Sequence, residues 1–428
     1  MEKKEGNGMK LPEKLHQPGK YIRTFVKWTL LGLLMGVTGG LLGALFHHGL
    51  HFVTHLRLAH SWLIFLLPAG GIATVAIYKL CGLENNRGTN EIIDAVLAGK
   101  KVHRLVAPVI LLTTAITHLF GGSAGREGAA LQIGGSTASL FGRLFRLNDH
   151  DCRVLVMSGM SAVFAGLFGT PLTATLFCME FVSVGTLFSP ALLPGYVAAY
   201  TASRVSGLLG VHAEGLLLET VTKVTLGNVW RFALLAALVA LLGIGMCWVF
   251  HKAEHLAQHY IRNRWLRIAV GGAVIAALTC LVGDQRFNGA GMDMALAAVG
   301  GQADWYSFLL KMLFTAVTLA AGFKGGEIVP TFCIGATFGC VVGGLLGLEP
   351  GLCGALGLIG LFCCATNSPF ASMVLSIEMF GGANIHLFAL VAVICFVLSG
   401  NGGLYASQMI LFRKTSTDPK NPQLQHQE

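Results

Sequence analysis

Two charged residues, Arg126 and Glu127, stand among glycines in the stretch GGSAGREGAALQIGG at 121–135, directly before an apolar run able to continue as a helix. Glycines let the backbone turn sharply and leave amide N–H groups uncovered, and the following helix turns its positive dipole end toward them. Such an end is a ready anion site. Glu127 adds an ionisable group that can occupy that place as a carboxylate and leave it when protonated. A lone carboxylate in a membrane helix costs about 2.5–3.5 kcal/mol, so it has to be protonated, paired or functional. A pair with Arg126 is the purely structural alternative, although adjacent helical residues point in different directions. Glu327 holds the corresponding place in FKGGEIVPTF at 323–332, ahead of a helix with Pro330 at its start, and Lys324 is near enough in sequence to pair with it. Two carboxylates flanking one anion path could hand a proton between them as anions pass. Tyr405, in the glycine-rich SGNGGLYASQ at 399–408, is either a neutral donor to an anion in a dry pore or an interfacial belt residue.

Other groupings read more plainly. Glu180 and Glu378 each follow a proline by nine residues, Pro171 and Pro369, and as helix-end carboxylates they are expected to satisfy backbone amides rather than transport anything. The stripes His47/His51/His55 and His251/His255/His259 have the i, i+4 spacing of metal ligands, yet both follow a full apolar span and read as polar faces of interfacial helix ends. Gly121-Gly122-Ser123-Ala124-Gly125 matches G-x-S-x-G, the nucleophile elbow of hydrolases, which needs a strand before it and a histidine partner. An intramembrane serine hydrolase is therefore a distant alternative. No metal site and no cofactor are expected.

The elements that must position these groups follow from composition. Of 428 residues 54% are hydrophobic and 12% charged, against about 25% charged in soluble proteins, and the mean hydropathy is +0.66. This is a polytopic membrane protein. Its net charge of +9 is spread over loops and termini, which fits phospholipid and membrane orientation and excludes a nucleic-acid partner. The eleven cysteines form no C-x-x-C pair and lie mostly inside apolar segments, as buried small hydrophobes. Residues 1–20 read as a disordered cytoplasmic arm, 21–412 as a single transmembrane domain, and 413–428 as a short cytoplasmic tail. Basic residues at both ends (Lys3, Lys4, Lys10, Lys14; Arg413, Lys414, Lys420) put both termini in the cytoplasm and make the number of spans even.

Trp28–His47 and Trp62–Cys81 have the length of full spans, whereas Leu105–Phe120, Gly128–Phe145, Val154–Phe168 and Leu172–Val184 are shorter and glycine-broken. The chain repeats itself. Phe46-His47 recurs as Phe250-His251, Glu127 as Glu327, Ile133-Gly134 as Ile334-Gly335, and the Pro171…Glu180 frame as Pro369…Glu378. Two homologous halves, about 25–215 and 229–410, with broken helices meeting at a central site form a transporter architecture, inverted if each half crosses an odd number of times.

Gly125-Arg126-Glu127-Gly128 followed by Gln132-Ile133-Gly134-Gly135 resembles the signature loop of the CLC family of chloride channels and proton-coupled anion transporters, with Glu127 in place of the gating glutamate. The resemblance implies an all-α polytopic fold of two inverted halves around a central anion site, assembled as homodimers with one anion pathway in each subunit. The family's serine-bearing loop has its nearest counterpart in Asn86-Arg87-Gly88-Thr89-Asn90, which carries no serine, and the usual phenylalanine and proline of the second-half loop give way to Gly325-Gly326-Glu327-Ile328-Val329-Pro330. Phe181 stands where chloride exchangers have an inner glutamate. These departures are similar to the fluoride/proton antiporter branch, with Tyr405 as its pathway tyrosine, while Val329 and Thr89 differ from that branch's usual residues. The implied roles are gating and proton transfer for Glu127 and Glu327, and anion binding for Gly125, Arg126, Gly128, Gly88, Thr89, Asn90, Gly326, Ile328, Val329 and Tyr405. The expected activity is fluoride export against proton entry in the plasma membrane. A chloride channel or chloride/proton exchanger of the same fold is the alternative.

Overall fold

The computed structural model describes residues 18–212, 215–218, 221–223, 225–411 and 414. Most of the terminal arm and tail, including Lys3, Lys4, Lys10, Lys14, Arg413 and Lys420, lies outside the described residues. Among the described residues sixteen α-helices follow one another: α1 (Pro18–Ala59), α2 (Leu67–Leu80), α3 (Thr89–Ala98), α4 (Val106–Leu119), α5 (Glu127–Leu144), α6 (Asp149–Phe168), α7 (Pro171–Glu180) and α8 (Leu192–Leu208), then α9 (Leu226–Tyr260), α10 (Arg264–Val282), α11 (Met292–Val299), α12 (Ser307–Ala321), α13 (Ile328–Leu345), α14 (Pro350–Thr366), α15 (Pro369–Phe380) and α16 (Ile385–Leu398). Local signals set many ends. Prolines start α7, α14 and α15 at positions that need no N–H, Asn148 and Asn263 cap α6 and α10 through their side-chain carbonyls, and glycines in left-handed conformation close α3, α6 and α10.

The two sets of eight correspond in order. Long α1 and α9 open each half, and α5 and α13 have 18 residues each. Packing repeats too: α5 lies on α6 as α13 lies on α14, and α1 lies on α8 as α9 lies on α16. Across the halves α2 meets α10 and α7 meets α15, and the loop before α5 pairs antiparallel with the loop before α13 through Gly125 and Gly326. The starts of α5 and α13 thus face each other, while α7 and α15 lie antiparallel, each ending beside the other's start, as inverted halves require. Among the described residues six helices are long and apolar enough to cross a membrane, α1, α6, α9, α10, α13 and the run Ser61–Leu80; of the shorter ones α14 is buried nearly throughout, while α4, α8, α12, α15 and α16 each keep exposed apolar side chains. The span read as Trp62–Cys81 is the run Ser61–Leu80 to within one residue, whereas Trp28–His47 is part of a longer helix, because the polar histidine face continues α1 to Ala59 without a break.

Glu180 and Glu378 do for each other's half what was expected of helix-end carboxylates. The Glu180 carboxylate accepts the Phe370 and Ala371 amides at 3.1 and 2.8 Å at the start of α15, and the Glu378 carboxylate accepts the Leu172 and Thr173 amides at 2.9 and 2.8 Å at the start of α7. Each thereby satisfies amides that a helix start leaves open. Glu180→Ala is expected to lower stability by about 1–2 kcal/mol, read as a fall in thermal midpoint of the purified protein. An unchanged midpoint would show that the cap contributes nothing.

Candidate functional site

The site is built where α5 and α13 begin. Glu127 is the first residue of α5 and is fully buried. Its Oε2 accepts the Arg126 amide at 3.1 Å and, from the other half, the Val329 amide at 3.2 Å. The carboxylate therefore lies across two helix starts, whose amides and dipoles would otherwise face a free anion. Its Oε1 has no partner. The loops are locked together by Gly125 N–H donating to Gly326 O at 2.6 Å and Gly326 N–H donating to Gly125 O at 2.8 Å. Ile328 is buried as the first residue of α13 and adds one of that helix's open amides.

A vestibule opens on either side of this lock. One, of about 420 Å³, is lined by Arg57, His118, Arg126, Val329, His47 and His51, among others. Arg126 points into it, its Nη1 3.3 Å from His47 Nδ1 and its guanidinium 5.1 Å above the Phe168 ring. Arg57 lies 4% exposed with Nε and Nη1 unpartnered. This mouth is rich in cations, as an anion entrance requires. The other vestibule, of about 590 Å³, is lined by Gly88, Thr89, Asn90, Gln132, Lys324, Glu327 and Tyr405. Glu127 lines neither vestibule; it is the partition between them.

Glu327 stands at the N-cap position of α13 without a side-chain cap and lines the larger vestibule. It matches Arg126 rather than Glu127, whose counterpart is Ile328, so the second carboxylate sits one residue earlier than the sequence repeat suggests and faces away from the Glu127 seat. Lys324 does not pair with Glu327 in any ion pair of the described residues; its Nζ lies 4.5 Å over the Tyr78 ring. The Tyr405 hydroxyl is buried without a partner, and its ring stands edge-on to Phe181, 5.6 Å between centroids. Phe181, itself stacked on Phe177, makes an apolar wall where an inner glutamate would stand. The Gly88–Asn90 segment reaches the same vestibule, but its polar groups are largely spoken for. The Gly88 amide donates to Asn86 Oδ1 at 3.0 Å, Thr89 Oγ1 lies 3.5 Å from Gly128 O, and Asn90 Oδ1 accepts the Ser407 amide at 2.9 Å. The loop thus holds the vestibule's shape, with the Gly88 amide and Thr89 hydroxyl turned to partners within the protein and Asn90 tied through its carbonyl oxygen.

Sequence reasoning missed two groups here. Gln132, one turn into α5, is 3% exposed, donates from Nε2 to Gly128 O at 3.0 Å and leaves Oε1 unpartnered. The signal in sequence is a polar side chain inside the signature stretch, on the buried face of an apolar helix. Lys311 is fully buried in α12 and spends its three ammonium donors on Ser123 Oγ, Phe287 O and Gly289 O at 3.0, 3.1 and 2.7 Å. That lysine ties Ser123 into the lock's foundation. The hydrolase reading fails at this point, because helix α4 precedes the loop instead of a strand, Ser123 is fully buried, and an ammonium with three acceptors is no base. The histidine stripes also gain a place: His47 and His51 line one mouth and His251 the other. Among the described residues no group of three or more His, Cys, Asp or Glu side chains could hold a metal ion.

A family model described as voltage gated chloride channel matches residues 70–399. The chain is 35% identical over 391 residues to a chloride/fluoride channel protein of Pseudomonas syringae pv. tomato, with 90% of this chain and 86% of that protein covered. It is 25% identical over 435 residues to an H(+)/Cl(-) exchange transporter ClcA of Vibrio vulnificus, covering 91% and 90%. Among solved structures it superposes on a CLC-type fluoride/proton antiporter with a TM-score of 0.87 at 32% identity, covering 90% of this chain and 98% of the other. A slow cyanobacterial Cl-/H+ antiporter shares the fold at a TM-score of 0.71 and 20% identity, covering 88% and 94%. With its halves, its locked glycine loops and a carboxylate lying across two helix starts, this multi-pass membrane chain belongs to the voltage gated chloride channel (CLC) family.

Proposed function

We propose that the protein is a fluoride/proton antiporter that exports fluoride as protons enter. The observation that carries this reading is the Glu127 carboxylate, held by the Arg126 and Val329 amides at the partition between two vestibules. Ionised, it fills the place of the anion and closes the path. Protonated at Oε1, the atom without a partner, it loses the charge that those amides hold and swings out, and the anion takes the helix starts in its place. Glu327, at the edge of the larger vestibule, is the second acidic station, and the free Tyr405 hydroxyl is the donor that meets the anion there. Fluoride is small and strongly hydrated, so close donors must replace its water. Likeness to proteins named for fluoride supports that cargo; chloride, named for the Vibrio relative, is the competing one.

Proteoliposomes loaded with either anion, with external pH recorded, test the cargo. Fluoride efflux with proton uptake is expected, and equal chloride efflux without a pH change would overturn the reading. Glu327→Gln is expected to cut proton movement by about 10²-fold while uncoupled anion flux persists; unchanged proton movement would remove Glu327 from the path. The proposal extends to a homodimer in the plasma membrane with both termini cytoplasmic, which the basic residues near both ends favour.

A further inference from the structure

Away from the glycine lock, the ends of α3 and α5 and the start of α6 enclose a cavity of about 320 Å³. Lys100, Lys101, Arg143, Arg146 and Arg153 line it, with Asp149 the one acidic residue in its wall. None of the five cations takes part in an ion pair of the described residues. Nearby Asp151 is held by Lys27 at 2.5 Å and does not line the cavity. Arg143 is fixed by donating from Nε to Ser139 O and from Nη2 to Val102 O at 3.2 and 3.0 Å, which keeps its charge in place without neutralising it. Arg153 Nε is buried with no partner.

The second half is an internal control. There no cation stands at any of the five places. Gly99 follows α3 in left-handed conformation as Gly301 follows α11, so Lys100-Lys101 corresponds to Gln302-Ala303. Helices α5 and α13 end in one turn, with Leu147 N–H donating to Gly142 O and Leu348 N–H to Gly343 O, both at 2.9 Å, so Arg143 corresponds to Gly344 and Arg146 to Gly347. Counted from the N-caps Asn148 and Glu349, Arg153 corresponds to Gly354. Arg146 has φ 51, left-handed like Gly347 at φ 66, a conformation that suits glycine and strains a side chain. The fold does not need these charges, and one of them is kept against its backbone preference.

The surroundings identify what they meet. Lys27, near the start of α1, reaches Asp151 at the start of α6, so the cavity lies where α1 enters the apolar layer. Beside it on α5 and its C-cap, Leu140, Leu144 and Phe145 are 47%, 68% and 46% exposed. We propose that this cavity binds the phosphate of an anionic phospholipid headgroup, with the acyl chains lying over Leu140, Leu144 and Phe145. Clustered guanidinium and ammonium groups at the membrane surface are suited to phosphate oxygens and headgroup charge.

Native mass spectrometry of the full-length protein in detergent, titrated with phosphatidylglycerol, phosphatidylcholine or inorganic phosphate, tests this. The protein is expected to retain phosphatidylglycerol in preference to phosphatidylcholine. Arg146→Gly should bind it about fivefold more weakly, and Lys100→Gln/Lys101→Gln about twentyfold. Because glycine suits the backbone at 146, that variant should keep or raise the thermal midpoint, so its loss of lipid cannot be put down to misfolding. Equal retention by the native protein and both variants would overturn the site. Inorganic phosphate displacing the lipid at equal concentration would overturn the lipid and leave a soluble phosphate as occupant.

Discussion

Glu127→Gln is expected to reduce coupled fluoride efflux and proton uptake by about 10²-fold or more. Glutamine keeps the length of the side chain and one oxygen that can accept the Arg126 or Val329 amide, so the lock should survive and the purified protein should unfold near its native midpoint. What it cannot do is carry a charge in one state and shed it in the other. The measurement is efflux from proteoliposomes with simultaneous recording of fluoride and pH. Residual anion flux without proton movement would fit, since a permanently neutral side chain no longer competes with the anion for the helix starts. Coupled exchange at the native rate would remove Glu127 from the mechanism altogether.

Gly326→Ala should be nearly as damaging, by a different route. A Cβ there would lie 2.6 Å from Glu127 Oε2, 2.7 Å from the Gly128 nitrogen and 2.9 Å from the Glu127 nitrogen. Two of these are backbone atoms at the start of a helix, and they have nowhere to go. Either the Gly125–Gly326 bridge opens or Glu127 loses its seat. Forced overpacking of this kind costs about 1–3 kcal/mol, to be read in the thermal midpoint, and fluoride efflux should fall with it. A variant with native flux and stability would show that the loops need no such close approach.

Much of this centre could be read from residue types. Glycines around Glu127, their recurrence around Glu327 and the repeated proline-glutamate frames point to the candidate site and to the duplicated fold, because backbone exposure, intramembrane charge and duplication all leave marks in sequence. Val329 shows where that reading stops. Its side chain plays no part in the contact with Glu127, which is made by its amide, and any residue except proline would supply that. Asn90 shows another limit: its carbonyl is taken by Ser407, more than three hundred positions away, and no local pattern announces such a tie. Lys311 shows a third: a lysine within an apolar run gives no hint that Ser123 and two loop carbonyls wait for it. Partners distant in the chain decide whether a polar group is free for a ligand, and only the folded arrangement supplies them.

The crossed capping by Glu180 and Glu378 bears on the origin of the molecule. Neither carboxylate serves its own half. A polypeptide made of one half alone would carry a helix start with open amides and a carboxylate with nothing to hold, and both faults would be cured at once by a second copy packed head to tail against it. Such a half would need a copy of opposite orientation beside it to be stable. A single chain that holds both halves supplies that copy with every molecule, which leaves the halves free to differ in charge, as one carries Arg126 and the other Lys324.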